Sequence, residues 1–475
     1  MASVEFETSR PLLRHETGIG TARRRAALFA ERPRLALISS YSELCGIASY
    51  TRSLEKQLSE LFEIHVFDLN QYLLRNTHSR VRKFGDRHIH EICRELKDFD
   101  AVNLQLEYGT LGRSVGDIYR RFGWIVRAAP RLSVTFHTVF DTPSFDYARW
   151  LQALVRLNLA EAARLRRDFR RSHVLSVGIA KRLRRAQRVK PVTIIVHTRR
   201  DAWHMKYVHG LRRVYDHPLS FLNAAEVVEI RRNASRRRFP LLDALPTEAK
   251  LIGVFGFFGR YKGFETVIRA LHHIPPDHHL LIFGGVHPNE IKAHQPIDPT
   301  VAALFEAGFV DTNVAERIRA IPAPGTPTVS VAVDGSTRDL LIEHPKDLSR
   351  RIHFLGATSD EDFLAGMAIC DTVVFPYLEV GQSASGPISQ ALELGCRVIA
   401  SRTHTFLQFA KYHQDMIEYF DIGNHLELAA RLVARPQYEQ HVRSLYYNVE
   451  TNQAIYAKAN GLRTKHDRYR ERSSA

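Results

Sequence analysis

At 475 residues, 44% hydrophobic and 25% charged, the chain has the composition of a folded protein and the length of two domains. No apolar run reaches the roughly 18 residues of a membrane-spanning helix, Met1–Arg25 is polar with no apolar signal core, and Cys45, Cys93, Cys370 and Cys396 show no CxxC spacing. The net charge of +16 rests on 67 basic against 51 acidic residues, which turns attention to polyanionic partners.

Residues 1–33 read as a basic tail ending in a helix, Ala22–Glu31. Arg34–Ser39 is the first convincing strand. The loop Ser40–Gly46 runs into an amphipathic helix, Ile47–Leu61. Ile64–Leu69 reads as a strand, Tyr72–Asp86 as a loop, and Ile89–Leu96 as a helix. Ala101–Leu106 is a strand, with Glu107–Gly109 at its carboxyl end. A helix over Val115–Ala128 leads to the strand Leu132–His137. A long arginine-rich helix, Trp150–Arg170, precedes an expected strand at His173–Val177, and Val192–His197 ends a first alternating half over residues 34–200.

Residues 201–249 are charged and poorly periodic, and mark a junction. A second alternating half covers residues 250–437. It has strands at Leu251–Phe255, His279–Gly285 and Ile352–Leu355, with helices at Phe264–His273 and Ser359–Ile369. Val286–Leu348 is irregular, with a proline-rich loop at Ile321–Thr328 and an extra strand expected at Thr328–Val333. Residues 438–475 are long enough for a helix crossing back to the first half. Two alternating halves imply an α/β protein of two Rossmann-like parallel-sheet domains facing each other across a cleft, with ligands at the strands' carboxyl ends.

Four clusters sit at such ends. Asp371–Ser401 reads as strand, small-residue loop, helix and strand. Its loop, Gly381–Gly386, feeds a helix N-terminus, where free N–H groups and the helix dipole favour an anion. An ordinary turn would look similar. In the same stretch Gln382 and Gln390 bracket Ser383, Ser385 and Gly386, and Gln390 can bond ribose hydroxyls or lie on a surface. Gly46 precedes a helix and either lets backbone approach a phosphate or serves the cap. His137 ends an apolar strand and can face a hydroxyl or an oxyanion, or be a structural histidine. Arg260 and Lys262, in Gly256–Gly263, can clamp a diphosphate. Asp98–Asp100 sits at the wrong end of its strand for a metal motif, and neither GxGxxG after the first strand nor a Walker pattern is present.

In order and spacing these segments resemble glycosyltransferase family 4, retaining enzymes with the GT-B fold. The resemblance rests on Cys45–Thr51, Gln105–Gly109, Val134–Val139, Tyr261–Ala270, Phe354–Gly356, Ser359–Asp362 and Cys370–Tyr377. It implies a cofactor-free hexosyltransferase with a UDP- or GDP-linked sugar donor and no obligatory metal. It implies His137 near the transferred sugar and donor phosphates held by Lys262 and the backbone around Ser385 and Gly386; with Arg260 as a substitute for the family's arginine, the catalytic candidates are His137, Lys262 and Arg260. Gly46, Phe354, Leu355, Gln382, Ser383, Ser385, Gly386 and Gln390 fall at the nucleotide-sugar positions. The family's paired glutamates fall on Gln382 and Gln390, and its arginine on Phe257, with Arg260 nearby. A non-catalytic homologue that binds a sugar nucleotide or a partner enzyme is the alternative.

The expected partners are a nucleotide sugar and a glycan or lipid-linked acceptor. The arginine patches, at Arg23–Arg25, Arg164–Arg171, Lys181–Lys190 and Arg231–Arg238, add an anionic inner-leaflet surface as a third expectation. No nucleic-acid motif is present, so no nucleic-acid partner is expected. The expected location is cytoplasmic, with a peripheral seat on the inner membrane face.

Overall fold

The computed structural model describes residues 32–43, 45–285, 348, 350–379, 384–437 and 445–462. The expected basic tail, the proline-rich loop, the extra strand at Thr328–Val333, Gln382 and Ser383 lie outside these residues, as does most of 438–475.

The first half runs β1 (Arg34–Ser39), α1 (Gly46–Leu58), β2 (Glu63–Asp68), α2 (Ser79–Glu95), β3 (Ala101–Leu106), α3 (Val115–Ala128) and β4 (Leu132–Phe136). It continues with α4 (Tyr147–Val155), α5 (Leu159–His173), α6 (Ile179–Ala186), β5 (Val192–Val196) and β6 (Val214–Asp216). Its sheet has the order β2-β1-β3-β4-β5-β6, with parallel pairing throughout. β3, β4 and β5 are buried along their whole length. Helices cover both faces of such a sheet, so its strands read as near-continuous apolar runs.

A connection through α7 (Ala224–Asn233) leads to β7 (Lys250–Phe255), α8 (Phe264–Leu271), β8 (His278–Phe283), β9 (Ile352–Gly356), α9 (Asp360–Ile369) and β10 (Thr372–Phe375). Then come α10 (Gly386–Glu393), β11 (Val398–Ser401), β12 (Ile417–Phe420), α11 (His425–Val433) and α12 (Val449–Ala459). This sheet is also parallel, in the order β12-β11-β10-β7-β8-β9. The apolar clusters on its two faces are built around Phe255, Phe283 and Phe375 on one side and Val254, Ile282 and Val374 on the other. That alternation is the strand period of two.

Both sheets reverse their winding once, between β1 and β3 in the first and between β7 and β10 in the second. The loops that leave these strands part to opposite faces, opening a crevice at the carboxyl ends. The two crevices face each other across the interdomain cleft.

α12 returns to the first sheet. Central strands β3 and β4 carry polar residues on one face: Asn103, Gln105, Ser133 and Thr135 are all fully buried. α12 satisfies them: Ser133 Oγ donates to Asn460 Oδ1 at 2.8 Å, and Tyr456 shares a hydroxyl bond with Thr135 at 2.9 Å. Buried hydroxyls and amides must find such partners.

Three elements differ from expectation. His173–Val177, expected as a strand from its valines, is helical: Val174–Gly178 form a π-helical turn that joins α5 to α6. No turn residue separates it from the preceding helix, and Ser176 Oγ donates back to Ser172 O as in a helix. Local β-propensity yields to that continuity. The loop expected at Tyr72–Asp86 holds a short helix, Gln71–Leu74, and the first half of α2. The polar start of α2 is fixed from outside, where Arg82 forks onto Asp117 at 3.0 and 2.9 Å. The single helix expected at Trp150–Arg170 is a hairpin of α4 and α5, broken at Leu157, whose φ is +55°.

Candidate active site in the interdomain cleft

The cleft encloses about 380 Å³. Its walls come from the loops after β1, β3 and β4 on one side and after β7, β8, β9 and β10 on the other. Of the residues singled out from the sequence, Gly46, His137, Lys262, Ser385, Gly386 and Gln390 all line it. Arg260 is exposed and does not line it. Phe354 and Leu355, on β9, are half-buried against neighbouring apolar residues and do not line it either.

Gly46 opens α1. The loop before it is held by Asp68 at the end of β2, whose carboxylate accepts from Tyr41 N at 2.8 Å and Ser42 N at 3.2 Å. The Sγ of Cys45 caps the helix by accepting from Ala48 N. Among the described residues, a Cβ on Gly46 would meet no atom within 4 Å. Packing therefore does not demand glycine there.

His137 follows β4 and is held by a relay of amides. Asn103 Nδ2 donates to Ser133 Oγ at 2.7 Å, and Gln105 Nε2 donates to Asn103 Oδ1 at 2.6 Å. Gln105 Oε1 is thus an acceptor, and His137 Nε2 donates to it at 2.9 Å. The imidazole proton sits on Nε2, which leaves Nδ1 as an acceptor. Burial, reinforced by His197 with ring centres 5.1 Å away, holds its pKa well below the ordinary imidazole value. His137 is a neutral ring of fixed tautomer. His197 is held by its own bond to His217 O at 3.0 Å, and its Nε2 is buried with no partner among the described residues.

Glu107 follows β3. It accepts from Thr138 Oγ1 at 2.8 Å and Tyr108 N at 3.1 Å, and burial raises its pKa. The sequence places it in a quoted motif at the carboxyl end of a strand but gives it no role of its own.

Across the cleft, the loop after β7 is a tight coil. Gly256 has φ +123°, and a Cβ there would sit 3.1 Å from Lys262 Nζ. Gly263 has φ +61°, and a Cβ there would lie 2.1 Å from Pro376 O. Only glycine fits both backbone conformation and approach. This coil buries Lys262, which is 6% exposed. Its ammonium bonds the Tyr377 hydroxyl and lies over the Tyr377 ring at 4.0 Å and near the Tyr261 ring at 5.1 Å. Among the described residues no carboxylate pairs with it, and burial lowers its pKa.

α10 begins beside this lysine. Ser385 takes the cap position but makes no capping bond; its Oγ bonds Tyr377 OH at 3.1 Å instead. Gln390, one turn in, is 7% exposed, and its side chain bonds no described residue. Tyr377 therefore links the lysine to the helix N-terminus, a role that its place in the sequence does not signal.

The two walls are tied at their base. Glu393, at the end of α10, accepts from Ser220 Oγ at 2.8 Å, Phe221 N at 2.9 Å and Leu222 N at 3.1 Å, and burial pushes its pKa up to about 8. Phe221 packs edge-on against Tyr50 at 5.3 Å and would touch a Cβ on Gly386 at 3.1 Å. It comes from the charged junction, where periodicity carries no signal. Arg52 on α1 reaches Asp360 on α9 at 2.7 Å across the cleft mouth.

Two facing Rossmann-like domains with their carboxyl-end crevices opposed define the GT-B fold, and the chain has it. Among solved structures it is similar to the UDP-forming α,α-trehalose-phosphate synthase of Burkholderia vietnamiensis, with a TM-score of 0.55 and 9% identity over 90% of this chain and 98% of that one. A glycosyltransferase from Rickettsia africae gives a TM-score of 0.52 and 12% identity over 91% and 100%. Anabaena HepE in complex with UDP-glucose gives 0.51 and 13% identity over 91% and 100%. No protein-family model matches the sequence, and no curated protein matches it.

Proposed function

We propose that the chain is a glycosyltransferase that moves a hexose from a UDP- or GDP-linked donor to a glycan or lipid-linked acceptor, with retention at the anomeric carbon. The observation that carries the reading is Lys262: a cation buried at the carboxyl end of a parallel sheet, beside a helix N-terminus, with no carboxylate partner among the described residues. Both features favour a diphosphate. The solved structures of the same fold include one that holds UDP-glucose.

In this reading Lys262 and the start of α10 meet the charge that develops on the leaving diphosphate. Gln390 bonds the ribose. His137, neutral and with its acceptor Nδ1, orients a sugar hydroxyl. The acceptor hydroxyl approaches on the leaving-group face. Its oxygen bonds the anomeric carbon as the bond to the diphosphate breaks, and its proton passes to a diphosphate oxygen. Gln390 in place of a carboxylate keeps negative charge away from that diphosphate.

The test is thermal stabilisation by UDP and GDP, followed by donor hydrolysis across a panel of nucleotide sugars. Stabilisation with turnover supports the reading, and no response to any of them would sink it. The second reading, a binding protein without catalysis, is favoured by Gln390 and by Phe257 in the cleft wall. Stabilisation without turnover of any donor would select it.

A further inference from the structure

The hairpin of α4 and α5 begins at Tyr147, a short loop after His137. It is well built. Asp146 and Asn158 cap its helices, accepting from Arg149 N at 2.9 Å and Glu161 N at 3.1 Å. Arg149 pairs with Glu161 at 2.8 Å across the two helices. Yet only Ala153 and Ala162 of the two helices are buried.

Its surface is not that of a helix facing water. Tyr147, Leu151 and Val155 follow the spacing that places residues on one face of a helix, and they are 68%, 53% and 83% exposed. Leu157 at the tip is 84% exposed and Leu159 67%. Leu157 holds φ +55°, a conformation that asparagine or glycine would adopt at lower cost. A large apolar side chain is thus kept at the point of a strained turn.

Charge accompanies this apolar edge. Residues 147–173 hold seven arginines and two acidic residues. Arg166, Arg167, Arg170 and Arg171 line a groove of about 900 Å³ with Arg113, which precedes α3. Among the described residues, Arg113, Arg166, Arg167 and Arg170 have no carboxylate partner. Guanidinium forks fit phosphates, and their stems can lie along apolar surface.

One partner meets both features. An anionic bilayer offers a plane of phosphates directly above hydrocarbon, and amphipathic helices lie in that boundary with their basic residues among the headgroups. A nucleic acid would engage the arginines but leave Val155, Leu157 and Leu159 in water. We infer that the α4–α5 hairpin docks this protein on an anionic phospholipid surface. Leu157 and its apolar neighbours enter the acyl boundary, and the arginines of α5 bind headgroup phosphates. This goes beyond glycosyl transfer and does not depend on it.

The test is co-sedimentation of the full chain with phosphatidylcholine vesicles, with and without phosphatidylglycerol, at low and high salt. The protein should bind the phosphatidylglycerol vesicles, release with salt, and ignore phosphatidylcholine alone. Val155→Asp with Leu157→Asp should lower the affinity about tenfold or more. Arg166→Glu with Arg170→Glu should remove the salt-sensitive part. All four side chains are exposed, so unchanged thermal melts confirm that these variants fold. Arg185→Glu with Arg188→Glu, on a separate basic stretch, should bind as the parent does. The inference is overturned if the parent ignores anionic vesicles, or if the control pair loses binding as much as the hairpin variants. Capture of a single-stranded oligonucleotide by the hairpin arginines without vesicle binding would also overturn it, in favour of a nucleic-acid partner. Stabilisation by UDP, measured on the same variants, reports separately on the donor site.

Discussion

Replacing Lys262 with methionine should improve or preserve stability while weakening nucleotide binding. The ammonium is buried without a carboxylate partner, and burial lowers its pKa. The sign follows directly. A lysine with a folded pKa below its unfolded value binds its proton less tightly when folded. Below the ordinary lysine pKa its charge therefore costs stability, and the cost grows as pH falls through the folded pKa. Methionine has a similar length and adapts to irregular space, and Tyr377 OH keeps its bond to Ser385 Oγ. The nucleotide-free variant should melt at or above the parent temperature. Binding moves the other way. A charge-assisted bond to phosphate contributes about 1.5–3 kcal/mol, so Kd for UDP should rise roughly 10- to 150-fold. At a UDP concentration of about 100 Kd the parent gains about 2.7 kcal/mol, whereas a variant bound about 100-fold more weakly gains about 0.4. Thermal melts with and without UDP and titration calorimetry measure both effects. A variant that melts lower than the parent and still gains the full shift from UDP would refute the reasoning: Lys262 would then be structural.

Four further outcomes follow from the same geometry. Tyr456→Phe removes a hydroxyl bonded to Thr135 at 2.9 Å and within 3.4 Å of Tyr50 OH and Gln105 Nε2; it should cost about 1–3 kcal/mol in denaturant unfolding and lower turnover more than UDP affinity, because Gln105 orients His137. Gly46→Ala should leave the melt unchanged and weaken donor binding, since its Cβ meets no atom of the described residues yet the position lines the cleft. Arg397→Ala breaks a buried fork onto Glu418 at 2.8 and 3.0 Å; it should cost about 3–5 kcal/mol while the folded fraction binds UDP normally. Glu393 holds its proton more tightly when folded, with a pKa of about 8 against an ordinary 4.5, so its contribution is full below about pH 4.5 and is lost as pH rises towards 8. Glu393→Gln should flatten the fall in the urea midpoint across that window, and an unchanged slope would contradict the assignment.

The parallel strands were legible because burial on both faces writes apolar runs into the chain, as in Leu35–Ile38 and Leu251–Phe255. The cleft glycines and Lys262 were legible for a related reason. Each falls in the loop after such a run or at the start of the helix that follows it, where this architecture places ligands. What escaped depends on distant partners. The start of α2 reads as loop because Ser79–Asp86 is polar, and its helical form rests on Asp117 of α3. Val174 and Val177 read as strand because continuity with α5 is invisible to local propensity. Tyr377 and Phe221 gain their roles only when the sheets face each other, and Arg260 and Lys262 separate because one short turn buries one and exposes the other.

The two walls of the cleft carry complementary chemistry. From the second sheet come a buried cation and the start of α10, with glutamine where a carboxylate would oppose an anion. From the first come a neutral histidine and Glu107, whose carboxyl burial shifts towards the protonated form. A diphosphate leaving group needs fixed positive charge, whereas a sugar needs hydrogen-bond partners that do not repel it. In the proposed reading each sheet supplies one of these. This explains why the base of the cleft is fastened as it is. Glu393 grips the backbone of Phe221 and Leu222 from inside α10, the helix whose first turn borders the proposed phosphate seat, and α12 completes the relay behind His137. The two walls of the cleft are thereby set in one frame, at the cost of a buried carboxyl and a strip of polar core.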